Sequence, residues 1–381
     1  MATAAIKYQQ LLDSVFGVGV CQIKTTNADS NVVTDAIAAA SDYSQFSMNF
    51  TARLKRLAKA YRGHKSENEL LNLAKLVNDC QNWQGAIAEL AALDFYISDT
   101  NWLIEPPNIN ISIDPSQSLA SRFGLQEANL DLHFAEPDVY SDVKVLKDNV
   151  NEILDGVFAR VWPTHLPHIL PSYPRDGNFK VLQQNRGAIE QFLQTETANS
   201  SQPTYIDCGS IVPELSIRLL WGPGTLIADS SYSPYRHAKE HEFLPFLHAK
   251  KFVTSRPFIL TFVTFPWFNN TIQSHGETNK IFYRSLSRRV FCRYRFDSVK
   301  YATMFENYNG SESLYDVSRC LDGILFLEDN AILGNDPNSV NVRGYLYENP
   351  NGHQKLSMTT FEEHLRAIVN GDRDDFVHDN Y

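Results

Sequence analysis

Residues 130–148 read LDLHFAEPDVYSDVKVLKD, a strand-like alternation interrupted by Asp131, Asp142 and Lys144. NLDLHF and DVKVL flank AEPDVYS, whose Pro and Asp suit a turn. Centring a hairpin between Glu136 and Pro137 sets Asp131 opposite Asp142, because the two numbers are symmetric about that point. Directly opposed side chains sit about 5 Å apart. Lys144, two positions past Asp142, emerges on the same face. Two carboxylates that close repel, and one pKa rises unless a cation neutralises them. Their hard oxygens suit magnesium, which takes one or two protein carboxylates, waters and a substrate phosphate. An adjacent ammonium positions or deprotonates a water. Together these are the minimum equipment for hydrolysing a phosphodiester: a cation to stabilise developing charge and a base for the nucleophile.

A third acid fits the same cluster. Glu89 stands in AIAELAAL, a nearly pure apolar run, where an unpaired buried charge is costly. Pointing at a cation shared with the sheet beneath its helix resolves that cost.

The flanking pattern supplies elements to position these groups. Leu54, Leu57, Ala58 and Tyr61 fall at helical spacing. Ser66 and Glu69 predict a capping box opening a helix through LLNLAKLVNDC. A helix is expected over Trp83 to Tyr96, then strands in NWLIEP, NINISID, NLDLHF and DVKVL. NVNEILDGVFARVW and GAIEQFLQTE read as helices, and PTYIDCG, ELSIRLLWG, PFILTFVTF and DGILFLE as strands. Asn279 to Arg295 reads as a helix, and Pro163 to Pro174 as an irregular connection. The order predicts an α/β fold in which helices cover a mixed sheet.

The 381 residues allow one large domain or two ordinary ones, and 43% hydrophobic with 12% aromatic content argues against disorder. No apolar run approaches the roughly 20 residues of a membrane helix, and the N-terminus lacks a secretory pattern. Five scattered cysteines point to free thiols in a reducing cytoplasm. The net charge of −10 taken alone speaks against wholesale nucleic-acid binding, and phosphate contact needs only a local basic face. TARLKRLAKAYRGHK, with Arg53, Arg56 and Lys59, is one source. RSLSRRVFCRYR, with Arg288 and Arg289, is another, though its aromatics belong partly to a core. The last residues, GDRDDFVHDNY, read as a solvated acidic tail.

The ordered set Glu89, Asp131 and Asp142-Val143-Lys144 resembles the PD-(D/E)XK nuclease superfamily, over residues 83–154. That family carries a Glu on its first helix, an Asp on its second strand and an acid-x-Lys triplet on its third. The literal Pro137-Asp138 pair lies too close to Asp142 for separate strands. Asp131, preceded by Leu130, therefore takes the strand position and Asp138 stays a competing ligand. The resemblance implies a restriction-endonuclease-like core over 81–200, an N-terminal helical region over 1–80, and an α/β extension over 201–381 that completes the sheet or recognises a partner. It implies that Asp131, Asp142 and the Val143 carbonyl hold Mg2+, with Mn2+ as a substitute, and that Glu89 contributes directly or through water. Lys144 would orient the attacking water and stabilise charge at the phosphate, leaving a 5′-phosphate and a 3′-hydroxyl. The expected activity is endonucleolytic cleavage of DNA, or of RNA, by a homodimer or higher oligomer, and family analogy points to bacterial restriction or phage defence.

Two other classes stay open: a nuclease-fold binding module that has lost its metal, and a zinc hydrolase. For the second, His237 and His241 lie at i, i+4 spacing, with Glu240, Glu242 and His248 nearby. Ala238 stands where a zincin has its Glu. No GxxxxGK[ST] or GxSxG motif is present.

Overall fold

The computed structural model describes residues 4–23, 32–38, 44–79, 81–98, 105–146, 149–162, 168–172, 179–199, 203–213, 215–220, 234–265, 277–296, 298–330, 341–354 and 356. The strands are β1 (Asn108–Ile113), β2 (Ala128–Phe134), β3 (Val139–Val145), β4 (His168–Ser172), β5 (Tyr205–Asp207), β6 (Ser216–Leu220), β7 (Phe258–Thr264), β8 (Gly323–Asp329) and β9 (Val342–Glu348). Six of them form a mixed sheet in the order β1-β2-β3-β7-β8-β9, and the other three form a small sheet, β4-β6-β5. In the large sheet β1, β2 and β3 are antiparallel neighbours, β3, β7 and β8 run parallel, and β9 returns antiparallel. FILTFVT and GILFLED are buried at every position, as expected of parallel strands covered on both faces.

Besides the short turns of helix at Tyr301–Met304 and Leu314–Ser318, the described helices are α1 (Ala4–Phe16), α2 (Val32–Ala38), α3 (Ser44–Ala60), α4 (Glu67–Leu76), α5 (Trp83–Ile97), α6 (Asn149–Val161), α7 (Phe179–Gln184), α8 (Arg186–Asn199), α9 (Pro234–Glu240) and α10 (Glu277–Cys292). Among the described residues, no helix is long and apolar enough to cross a membrane. The four described cysteines, Cys21, Cys208, Cys292 and Cys320, are free.

The chain divides into two compact units, and not into the consecutive regions 1–80, 81–200 and 201–381. The larger comprises Met1–Leu146, Pro245–His275 and Val290–Tyr381. The smaller comprises Lys147–Leu244 and Gly276–Arg289. The reason lies in the parallel pair β3 and β7: the chain leaves the large sheet after β3 and must return to β7 by a crossover. The segment between builds the smaller unit around Leu154, Val157, Ile189, Leu193, Ile217 and Leu219. The first eighty residues are no separate domain either. Tyr8, Leu12, Phe50, Leu54 and Leu57 share one core with α5 and with Leu132, Val143, Ile259 and Leu325 of the sheet.

Helix α5 is the hub of that core. It is apolar nearly all round and buried along most of its length. Gly344 on β9 lets it approach, because a Cβ there would meet Phe95 at 2.5 Å. Of its two acids, Asp94 is fully buried and is claimed by α3: Arg53 reaches it at 3.3 Å and Arg56 at 2.7 Å. Arg53, 2% exposed, also holds Asp329 of β8 through two hydrogen bonds of 2.8 and 2.9 Å. Burial alone would lower the pKa of Arg53, but Asp329 and Asp94 more than offset it, so the guanidinium stays charged. These bonds tie α3, α5 and β8 together.

Several local expectations change. Ser66 precedes α4, yet its side chain does not cap it; Ser66 Oγ accepts the Ile109 N–H at 3.1 Å instead. The capping box of this chain lies at Ser313 and Asp316, opening the short helix Leu314–Ser318. The Pro163 to Pro174 stretch contains strand β4, and β9 was not anticipated. Trp102 of the expected strand NWLIEP, Gly222 and the acidic tail lie outside the described residues.

Removing one partner of a buried ion pair leaves the other charge stranded, at a cost of about 3–5 kcal/mol. Arg53→Ala is expected to lose that much in urea denaturation. Arg53→Lys should recover little of it, because an ammonium cannot reproduce the fork that meets Asp329. A loss under about 1 kcal/mol would show that the network contributes specificity without stability.

Candidate functional site

The hairpin register follows the symmetry of the sequence. Leu132 pairs with Ser141, His133 with Tyr140 and Phe134 with Val139, a register that carries Asp131 towards Asp142. The ladder stops at Leu132 and Ser141. Beyond it β2 runs on to Ala128 paired with β1, and β3 runs on to Val145 paired with β7. The two strands therefore fork, and side chains take over the backbone groups released there. Asp131 Oδ2 accepts the Val143 N–H at 2.7 Å. Lys144 Nζ donates to the Val143 carbonyl at 2.8 Å and to Asp131 Oδ2 at 3.1 Å. Lys251 Nζ donates to the Asn129 carbonyl.

Asp142 lies in the same fork and is fully buried. Neither of its oxygens accepts an aligned hydrogen bond. Its counter-charges are the Lys144 ammonium, 2.7 Å from Oδ2 but turned out of line for donation, and Lys251, 3.8 Å from Oδ1. A buried carboxylate without a hydrogen bond is uncommon, because desolvation penalises it directly.

Charge is crowded here. Burial and then the Asp142 charge push the Asp131 carboxyl up to about 6. Glu89, half-buried on α5, is held well above the usual carboxylate range, first by burial and then by Asp131; Lys144, Asp142 and Lys251 also act on it. Its charge is thus felt in the cluster from the helix side, and no other described residue holds it by a hydrogen bond or ion pair. Burial alone would lower the Lys144 pKa, but Asp142 and Asp131 override it, so the amine stays protonated. His248, in the 3-10 turn Pro245–Lys251, has its pKa pushed down to about 3 by burial and then by Lys144. It is a neutral imidazole packed edge-on against Phe262.

Asp131, Asp142 and Lys144 are thus brought together around the Val143 backbone, and Glu89 acts on them by charge from α5. Asp138 is not with them: it sits in the turn with φ 64°, bonded to His133 at 3.0 Å and to Arg256 at 2.7 Å. Lys251 was missed from the sequence, and His248 was read only with the zinc alternative. They lie more than a hundred residues from Asp142, and only the return of the chain to β7 brings them near. The available signal was a basic LHAKK run just before an unbroken apolar strand.

Of the basic residues expected to meet phosphate, the arginines of α3 are drawn inward, while Lys55, Lys59, Arg62 and Lys65 of the same stretch stay exposed. Arg53 and Arg56 are committed to Asp94 and Asp329, so their charge is spent inside the helical layer. Arg288 is 5% exposed, and Arg289 pairs with Glu242 at 2.8 Å, both on the smaller unit. Of Arg53, Arg56, Lys59, Arg288 and Arg289, only Lys59 is exposed. For the histidines, α9 ends at Glu240, one residue short of His241, and His241 is buried edge-on against Phe282. The His237 side chain lies outside the described residues.

The donors at the fork are oxygens only, two aspartates and a carbonyl with Glu89 beside them, and the orphaned Asp142 oxygens lack a partner that a hard cation would supply. In that respect the residues fit magnesium. Among the described residues no three acidic, His or Cys side chains already surround one point, and the Lys144 ammonium lies within 3.1 Å of Asp131 and 2.7 Å of Asp142. Comparison of the chain with family models, with curated proteins and with solved structures finds no match.

The raised Asp131 pKa makes a stability prediction. Below its ordinary value of 3.8 the carboxyl is protonated in both folded and unfolded chains. Between there and about 6 the unfolded chain ionises while the fold holds its proton, so stability falls as pH rises and levels off above about 6. Asp131→Asn keeps an acceptor for the Val143 N–H and removes the charge. It is expected to stabilise the metal-free protein by about 1–3 kcal/mol at pH 7.5, with the gain vanishing near pH 4. A pH-independent effect in thermal denaturation would contradict the charge assignment.

Proposed function

We propose that the protein is a metal-dependent endonuclease that hydrolyses DNA phosphodiester bonds, built on a restriction-endonuclease-like core in the larger unit. The observation that carries this reading is the fork between β2 and β3, where Asp131, the orphaned Asp142 and a protonated Lys144 converge with the charge of Glu89. An antiparallel hairpin leading into a parallel strand pair, with a helix carrying a Glu across it, is the frame such a core needs.

Asp131, Asp142 and the Val143 carbonyl would hold Mg2+, with Glu89 direct or through water. When bound, the ion would supply positive charge to the phosphoryl oxygens as the transition state forms. The protein's own groups divide the remaining work. Lys144, kept protonated, is a donor, so it stabilises a phosphate oxygen or orients the attacking water, and it does not abstract a proton. Proton acceptance falls to a carboxylate of the cluster. DNA is favoured over RNA because most proteins with this type of core act on it, and a homodimer would place two such sites on two strands. A role in bacterial restriction or phage defence rests on the same analogy.

Incubation of supercoiled plasmid with the purified chain tests this. Cleavage is expected with Mg2+ or Mn2+ and not with chelator. Asp142→Ala and Lys144→Ala should each lower the rate by roughly a hundredfold or more while the circular dichroism spectrum persists. Full activity in Asp142→Ala would remove the assignment.

A further inference from the structure

Two positive charges already sit where a divalent ion would. Lys144 Nζ lies between Asp131, at 3.1 Å, and Asp142, at 2.7 Å, and Lys251 Nζ approaches Asp142 from the other oxygen at 3.8 Å. They arrive from unrelated parts of the chain. Lys144 comes from β3 itself. Lys251 comes from the turn Pro245–Lys251, anchored by the buried Phe252, whose carbonyl accepts the Leu119 N–H, and by the bridge between Ser118 and Val253. Together they carry the charge of one divalent cation. Asp142, fully buried, has no other counter-charge and no aligned hydrogen bond among the described residues. Both lysine side chains keep about a quarter of their surface in water, so each already reaches solvent.

We propose that the ammonium groups of Lys144 and Lys251 hold the place of a divalent cation among Glu89, Asp131 and Asp142, and that binding of the ion displaces them. The inference rests on the preceding reading only in taking a divalent cation as the ligand of the fork. It explains how the buried Asp142 and the half-buried Glu89 and Asp131 survive together in the metal-free fold. The exchange conserves charge at the fork and delivers two displaced ammonium groups to its rim, where an incoming phosphodiester supplies their new anionic partner. Lys251 becomes a positioning residue for substrate, one that the acid-x-Lys pattern does not contain.

Competition of this kind predicts that removing an ammonium tightens metal binding even though it harms catalysis. Isothermal titration of Mn2+ into the full-length protein at pH 7.5 tests it with wild type, Lys144→Gln, Lys251→Gln and Asp142→Asn. Each Gln variant is expected to bind Mn2+ more tightly than wild type, by roughly tenfold for Lys144 and severalfold for the more distant Lys251. Asp142→Asn is expected to lose the site. Before metal is added the Gln variants should melt at lower temperature, and Mn2+ should raise their melting points more than that of wild type. Lys251→Gln carries the test alone if Lys144→Gln does not fold. Equal or weaker Mn2+ affinity in the Gln variants overturns the exchange, and if wild type still cleaves plasmid with Mg2+ the nuclease reading survives it. Absence of Mn2+ binding in every protein overturns the exchange and the metal reading together.

Discussion

The parting of β2 from β3 after Leu132 and Ser141 is the constraint on which the site depends. A continuous ladder would satisfy the backbone of both strands and leave no reason for charged side chains between them. The fork releases the Val143 N–H and carbonyl and the Asn129 carbonyl, and these groups must find partners because buried backbone polar groups are rarely left alone. Asp131, Lys144 and Lys251 provide them. The same three side chains carry the charge that makes the fork chemically interesting. Structure and chemistry thus share atoms, and Asp131 Oδ2 serves at once as a strand partner and as a member of the charge cluster.

The molecule uses buried charge in two ways that the acids of α5 distinguish. Asp94 is met by two arginines, one of which also forks onto Asp329, and both carboxylates are buried. Such a network fixes the helices on the sheet and has nothing left to offer a ligand. Glu89, less than two turns earlier on the same helix, has no such partner, and its carboxyl is raised by its surroundings. Asp142 is likewise short of hydrogen bonds. Groups left in this condition cost stability, and that cost is a signature of sites kept for binding or catalysis. The contrast separates an acid spent on the fold from one that the fold leaves unclaimed.

Much of this was readable in the residues themselves. Period-two alternation and the turn residues of AEPDVYS set the hairpin register that brings Asp131 towards Asp142, and the apolar run around Glu89 marked it as a charge in need of a partner. What escaped was non-local. Charge counting made Arg53 and Arg56 look like a phosphate-binding face, because the distant Asp329 and Asp94 that neutralise them are invisible to a window of neighbours. Lys251 was hidden for the same reason: its role exists only once the long excursion between β3 and β7 closes. Ser66 had the right spacing for a cap, yet Ile109 claimed its hydroxyl, a tertiary bond overriding a local one. The division into two discontinuous units also follows from strand pairing that no composition shift announces.

The central claim is that the fork between β2 and β3 is a cation site. Anomalous diffraction from crystals soaked in Mn2+ addresses it without relying on activity. The account predicts a single strong peak bonded to Asp131, Asp142 and the Val143 carbonyl, with Lys144 moved off Asp142. A fork with no peak and both lysines in place, or a peak confined to another part of the chain, would contradict it.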